Sequence, residues 1–113
     1  MRSDVVDANI IRARIHAAKF TTGVLDAGDV VITYEHPQLL AMTPAAESDI
    51  TLPADDATKR GQFFIIQNAA AATHDILVKS AAAATLGTIA ATESALVFLD
   101  PTGVWRVMVG AST

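Results

Sequence analysis

Short runs of β-branched and aromatic residues, separated by turn-forming residues at short intervals, constrain the fold of this chain most. Runs of this kind are typical of strands, and their close spacing along a chain is typical of an all-β sandwich or barrel. The sequence therefore predicts a single small antiparallel sandwich or barrel-like β-domain over 21–113. An extended N-terminal arm, 1–20, precedes it.

The second half of the chain is the most regular part and predicts five strands. They cover 62–68, 75–79, 86–90, 95–99 and 104–109. Short connections between consecutive strands favour an antiparallel meander. The segment Ala-Ala-Ala-Ala-Thr occurs at 69–73 and again at 81–85. Four alanines are too few for a helix that is stable by itself, so both copies are expected in connections at or near the same end of the sheet.

The first half has weaker strand signals. The β-branched run 30–34 predicts a strand with both faces covered. Pro37 and Pro44 limit the residues between them to a short strand or a loop, and Pro53 stops a strand that begins at Ile50.

Trp105 is expected at the centre of the core. The turn Asp100-Pro101-Thr102-Gly103 leads into its strand, and Val107 shares its face. Phe63 and Phe98 also lie in apolar strands, and we expect them inside as well. The predicted core comprises Phe64, Ile66, Ile76, Val78, Val97, Leu99, Trp105 and Val107.

Charge is unevenly distributed, because the arm carries four basic and two acidic residues while the chain as a whole has a net charge of −4. From Ile11 to Ala17, apolar residues alternate with Arg12, Arg14 and His16. This alternation favours a strand. A helix remains open, because Ala and Arg favour helices and Asp7 could cap one. Without interleaved aromatic residues, the arm gives only a weak indication of nucleic-acid binding, and no direct contact with nucleic acid is expected.

Several kinds of site have no counterpart in the sequence. There is no cysteine, the three histidines are isolated, and the six glycines do not cluster. Disulfides, thiol chemistry, zinc motifs and phosphate-binding loops are therefore not predicted. The long uncharged stretch 80–99 contains Gly87 and Glu93 and is interpreted as strands, and acidic residues near Met1 argue against a signal peptide. We expect no enzymatic activity, no cofactor, no metal and no membrane contact.

The order of motifs over 50–109 resembles that of small β-domains in tailed-bacteriophage virion proteins. It runs Ile-Thr-Leu-Pro-Ala-Asp, Gly-Gln-Phe-Phe-Ile-Ile-Gln-Asn, Asp-Ile-Leu-Val, Gly-Thr-Ile and Leu-Asp-Pro-Thr-Gly-Val-Trp. Such domains occur in head decoration (capsid cement) proteins and in tail-fibre modules. The first resemblance implies a homotrimer on the capsid exterior that binds the major capsid protein, bridges capsomers and resists the pressure of packaged DNA. It also implies synthesis in the host cytoplasm. The alternative is a tail-fibre or spike module for host-surface attachment.

The arm is the predicted contact region, because it alternates and is opposite in charge to the body. We expect it to contact the capsid or a neighbouring subunit through Ile11, Arg12, Arg14, Ile15, Lys19 and Phe20. The apolar content of the chain is rich in Ala, which predicts a modest core and favours burial of further apolar surface in a symmetric trimer.

Overall fold

Nine strands and one short 3₁₀ turn make up residues 21–71 and 73–111, the part of the chain that the computed structural model describes. The predicted arm, 1–20, lies outside the described residues. The strands are β1 (Thr22–Val24), β2 (Val30–Val31), β3 (Leu39–Met42), β4 (Ser48–Thr51), β5 (Phe63–Asn68), β6 (Ile76–Lys79), β7 (Thr85–Ile89), β8 (Glu93–Leu99) and β9 (Trp105–Ala111). The predicted all-β class is confirmed.

The strands form two packed sheets. One has the order β1-β3-β5-β8-β9, and the other has the order β2-β4-β6-β7. The first six strands alternate between the sheets, and neighbours within each sheet pair in parallel. Each connection among these strands crosses to the other sheet, so every second strand returns in the same direction. The result is three stacked pairs of strands, each pair contributing one strand to each sheet.

The antiparallel arrangement expected from the sequence is found only in the second half. Antiparallel pairing joins β5 to β8, β6 to β7 and β8 to β9. The predicted meander is wrong at two places, because β5 and β6 lie in different sheets, as do β7 and β8. Alternating burial is the same in parallel and antiparallel strands, so the residue pattern could not decide between a tight hairpin and a crossing to the other sheet.

The two poly-alanine segments lie in connections, but not at the same end. One precedes β6 and the other follows it, so they flank opposite ends of that strand. In the second, Ala83 adopts a left-handed conformation with φ of 69°, and the amide of Ala84 donates to the Ser80 hydroxyl at 3.2 Å. Thr85 already belongs to β7.

The core lies between the two sheets. Of the eight residues predicted to form it, seven are buried, and Val107 is partly buried and packs against them. Trp105 stacks between Tyr34 and Phe64, with ring centroids 5.9 and 6.0 Å away. Its indole Nε1 donates a hydrogen bond to the Pro53 carbonyl at 2.9 Å. One ring thus joins β5, β9, the loop between β2 and β3, and the loop between β4 and β5.

The two sheets also meet where β7 packs against β9. A Cβ atom on Gly87 would lie 2.8 Å from Cγ1 of Val107. Because Val107 is β-branched, its side chain has little freedom to move away. Glycine at position 87 therefore allows the edges of the two sheets to close over the core.

The first pair of strands ends the stack. The predicted strand 30–34 is reduced to Val30 and Val31, and its expected double coverage is wrong for Val31, whose side chain is 68% exposed. The reason is topological, because β2 is the edge strand of its sheet and pairs only with β4 among the described strands.

Candidate interaction surface

The outward side of the five-stranded sheet carries a row of apolar side chains. Burial alternates along β5 and β8, so that Phe64 and Ile66 point inward while Ile65 and Leu96 point outward. The strand register places one outward residue from each strand side by side. The row consists of Thr22, Leu39, Ile65, Leu96 and Met108. Four of its five members are apolar, and Met108 is 61% exposed.

The neighbouring outward row extends this apolar surface. It contains Phe63, Phe98 and Arg106 in register, and both phenylalanines are partly buried. Leu39, Ile65, Leu96, Phe98 and Met108 are called the apolar face below. The row on the other side is mixed and contains Val24, Ala41, Gln67 and Ser94 in register.

Two shallow grooves lie on this side of the sheet. The larger, about 770 Å³, is lined by Phe63, Leu96, Phe98 and Pro101, with Arg60 and Asp100 also contributing. The second, about 490 Å³, lies over β1 and β3 and includes Leu39, Ala41 and Ile65. Ile65 and Leu96 are neighbours in the sheet and separate the two depressions, so the surface offers two apolar recesses with a ridge between them.

The outward side of the four-stranded sheet has a different character. Asp49 and Lys79 form a salt bridge across it at 3.0 Å. Thr51 lies in register with Lys79, and Thr88 pairs with Leu77. Charges and hydroxyls thus interrupt this outer side, which also carries Leu77 and the 68% exposed Val31. The row across the five-stranded sheet is apolar at four of its five positions. Single exposed apolar residues are common on protein surfaces, but contiguous ones mark interaction sites.

A buried carboxylate organises one corner of the apolar face. Asp100 Oδ1 accepts hydrogen bonds from the Thr102 hydroxyl at 2.6 Å, the Thr102 amide at 2.9 Å and the Val104 amide at 3.1 Å. Its Oδ2 accepts from Arg106 Nε at 2.8 Å. Gly103 follows with φ of 83°, a conformation that favours glycine. Hydrogen bonds from Thr102 and then Arg106 hold the pKa of the Asp100 carboxyl well below its ordinary value.

Asp100 should make the stability of the domain depend on acid pH. Its pKa is lower in the folded than in the unfolded chain, so its contribution is present above an unfolded pKa of about 4 and is lost as the pH falls through the lower folded pKa. We expect Asp100→Asn to have a lower Tm than wild type at neutral pH. The difference should narrow progressively below about pH 4, as thermal melts across an acid series would show.

The matched control is Glu47→Gln, which removes one negative charge from an exposed side chain. It should leave the Tm and its pH profile near those of the wild type. A constant gap between wild type and Asp100→Asn at all pH values would contradict the role assigned to this carboxylate.

Both histidines of the described region take part in hydrogen bonds that hold loops in place. Nδ1 of His36 accepts a hydrogen bond from the Thr33 amide at 3.0 Å, which closes a turn before β3. The backbone carbonyl of His74 accepts from Asn68. Within 21–71 and 73–111, no group of three or more His, Cys, Asp or Glu side chains is placed to hold a metal ion. The same residues contain no helix with the length and apolarity needed to cross a membrane.

The six predicted contact residues of the arm, Ile11, Arg12, Arg14, Ile15, Lys19 and Phe20, all lie outside the described residues. The apolar face, by contrast, was missed. Phe63 and Phe98 were expected in the core but lie on the outward side, because their strands are apolar on both faces. The uninterrupted run Phe63-Phe64-Ile65-Ile66 carried that signal. A run of this kind is typical of a strand with both faces covered, but among the described residues no further sheet lies on the outward side of β5.

Comparisons with known proteins do not add to this picture: no family model, no curated protein and no solved structure matches the chain.

Proposed function

We propose that this protein is a non-enzymatic structural component of a tailed-phage virion. It binds the outer surface of the capsid, bridges neighbouring capsomers and stabilises the shell against internal pressure. The partner is the major capsid protein, and the contact surface is the apolar face. The observation that carries the proposal is the row of outward side chains in register across five strands, of which four are apolar. The choice of a capsid protein as the partner rests on the resemblance of the motif order over 50–109 to that of phage virion β-domains.

The extent of the apolar face suits a protein partner. Strands lie about 4.8 Å apart, so the apolar face, which crosses β3, β5, β8 and β9, is about 14 Å wide. A rigid sheet presents these side chains without ordering a loop, which lowers the entropic cost of binding. The two grooves can each receive an apolar side chain from a partner, as anchor residues do at the centres of protein interfaces.

Lysine substitutions on this face provide the test. Leu96 and Met108 are 38% and 61% exposed, so Leu96→Lys and Met108→Lys should leave the isolated domain folded. Burying an unpaired ammonium group against the capsid costs more than about 1.4 kcal/mol, which corresponds to at least about tenfold weaker binding. The readout is cosedimentation of the added protein with phage particles that lack it.

Thr88→Lys is the matched control, because Thr88 is exposed on the outward side of the other sheet. It should bind particles as the wild type does, and melting curves should show that all three variants are folded. Full occupancy by both face variants would contradict the proposal that the apolar face binds the capsid.

A tail-fibre or spike module is the second candidate. Its support is the stack of three strand pairs, in which neighbouring strands of each sheet run in parallel. Among the described strands the stack ends at β1 and β2, where another module of the same kind could continue it. Cryo-electron microscopy of whole virions distinguishes the two. Density for this chain as knobs on the shell supports the capsid proposal, whereas density on the tail supports a role in host-surface attachment.

A further inference from the structure

The larger groove carries a positive charge at its rim that pairs with no described carboxylate. Four basic residues lie in the described part of the chain. Lys79 and Arg106 each form a salt bridge with an aspartate. Lys59 lies over the Tyr34 ring, with Nζ 5.9 Å from the ring centroid. Arg60 is exposed, lines the groove and has neither kind of contact with a described residue.

The turn beside Arg60 contains a carboxylate, but other groups already bind both of its oxygens. Oδ1 of Asp100 accepts three hydrogen bonds from the turn that follows it, and Oδ2 accepts one from Arg106. A Cβ atom on Gly103 would lie 3.8 Å from Arg60 Nε, so the Arg60 side chain lies against the same turn. Two guanidinium groups thus meet at one corner with a single carboxylate, and Arg60 is the surplus cation.

The backbone on both sides of Arg60 is held in place. Asp56 caps the 3₁₀ turn that precedes it. On the other side, the Gly61 amide donates to the Leu99 carbonyl at 2.8 Å, and the Leu99 amide donates to the Gln62 carbonyl at 2.9 Å. A ligand that uses this charge therefore does not have to order a loop first, which lowers the entropic cost of binding.

Apart from this rim, the groove is mainly apolar. Its apolar lining consists of Phe63, Leu96, Phe98, Leu99 and Pro101. It follows β8 from Leu96 to the turn at Asp100, a distance of about 13 Å along a strand. About four residues of an extended peptide have this length.

This arrangement restricts the chemistry of an occupant. An extended peptide directs every second side chain to the same side, so one apolar side chain can enter the groove while a side chain two positions away reaches its rim. The planar N–H groups of a guanidinium match the two oxygens of a carboxylate. Nucleic-acid binding uses several Lys and Arg residues, whereas this chain has a net charge of −4 and one surplus arginine at the groove.

We propose that the larger groove binds an extended segment of a partner protein in which a large apolar residue and an Asp or Glu stand two positions apart. The apolar side chain packs on Phe63 and Phe98, and the carboxylate accepts hydrogen bonds from Arg60. That the segment belongs to the major capsid protein rests on the proposed function, but its chemistry follows from the groove alone.

The first test selects peptides from a yeast-displayed random library on the immobilised full chain. We expect the selected peptides to share an apolar residue and an acidic residue two positions apart. By fluorescence anisotropy, a selected peptide should bind Arg60→Gln at least about tenfold more weakly than the wild type. Lys79→Gln is the matched control, because it also removes one positive charge but lies on the other sheet. Melting curves should show both variants folded.

A change in the peptide identifies the pairing. Replacing its acid by the corresponding amide should weaken binding to the wild type by about tenfold but change binding to Arg60→Gln little, because the two groups act on each other. Binding to the wild type should also fall more steeply than binding to Arg60→Gln between about 50 and 500 mM NaCl.

Four results would overturn the inference. They are a selection without a shared acidic position, equal affinity of wild type and Arg60→Gln for the peptide, tighter binding of a random single-stranded oligonucleotide pool than of the peptide, and self-association that Arg60→Gln abolishes. The last would place a second copy of the chain in the groove.

Cosedimentation with phage particles separates this inference from the capsid proposal. If Leu96→Lys and Met108→Lys lose particle binding while Arg60→Gln keeps it, the apolar face binds the capsid and the role of Arg60 is wrong. If the peptide motif depends on Arg60 but the wild type does not bind particles, the groove has the chemistry inferred here and the capsid is not its partner.

Discussion

Trp105→Ala will destabilise the domain by about 3–5 kcal/mol, the range typical of a buried aromatic side chain cut back to a methyl group. The ring is only 4% exposed, and it stacks on both Tyr34 and Phe64. Its removal opens a cavity where β9 meets the loop between β2 and β3 and the loop between β4 and β5. Pro53 additionally loses the donor to its carbonyl. Urea unfolding monitored by circular dichroism measures the change in the free energy of unfolding.

Trp105→Phe distinguishes the contribution of ring packing to stability from that of the hydrogen bond. It retains most of the stacking surface but removes the indole N–H, so its cost should be smaller than that of the alanine variant and include about 1 kcal/mol for the hydrogen bond. Val104→Ala provides a control at the adjacent position, where the side chain is 43% exposed. A Trp105→Ala domain that unfolds at nearly the wild-type urea concentration would show that this ring does not hold the core together.

The strands of the second half of the chain could be predicted from the sequence, because apolar side chains recur at every second position along them. The inward positions alternate with outward ones, as at Phe64 and Ile66 and at Val97 and Leu99, and all four side chains are buried. The turn at Asp100 could also be predicted, since Pro and Gly occupy positions that a tight turn favours. Strands and tight turns of this kind depend on residues close together in the chain, so one sequence is enough to predict them.

The direction of strand pairing was not readable in the same way. Whether the connection after Asn68 turns within a sheet or crosses to the other depends on long-range packing, and Ala-rich connections carry no turn signal. The apolar face was missed for a related reason. The sequence places Ile65 and Leu96 in strands. It does not place them on an outward apolar surface, because apolar residues were assumed to point inward and this sheet is apolar on both sides.

Asn68 is the clearest case of a residue whose importance only the structure reveals. In the sequence it is one of two polar residues at the end of a strand. In the fold it is fully buried, and Nδ2 donates to the carbonyls of His74 at 2.8 Å and Ile89 at 2.9 Å. Oδ1 accepts from the Ala70 amide at 3.0 Å. One amide thus connects β5, the loop that follows it and the end of β7, and it joins the two sheets.

Asn68→Ala should therefore cost about 3–6 kcal/mol, because three backbone groups, two of them buried and one partly buried, lose this partner at about 1–3 kcal/mol each, partly relieved by local rearrangement. The free energy of unfolding in urea measures this cost. Gln67→Ala is the matched control, since Gln67 is the exposed neighbour in the same strand and its loss should change stability by less than about 0.5 kcal/mol. Equal stability of the two variants would mean that water enters and satisfies the three groups, and that the junction between the sheets is held by apolar packing. A large difference would establish the Asn68 amide as the polar link between the two sheets.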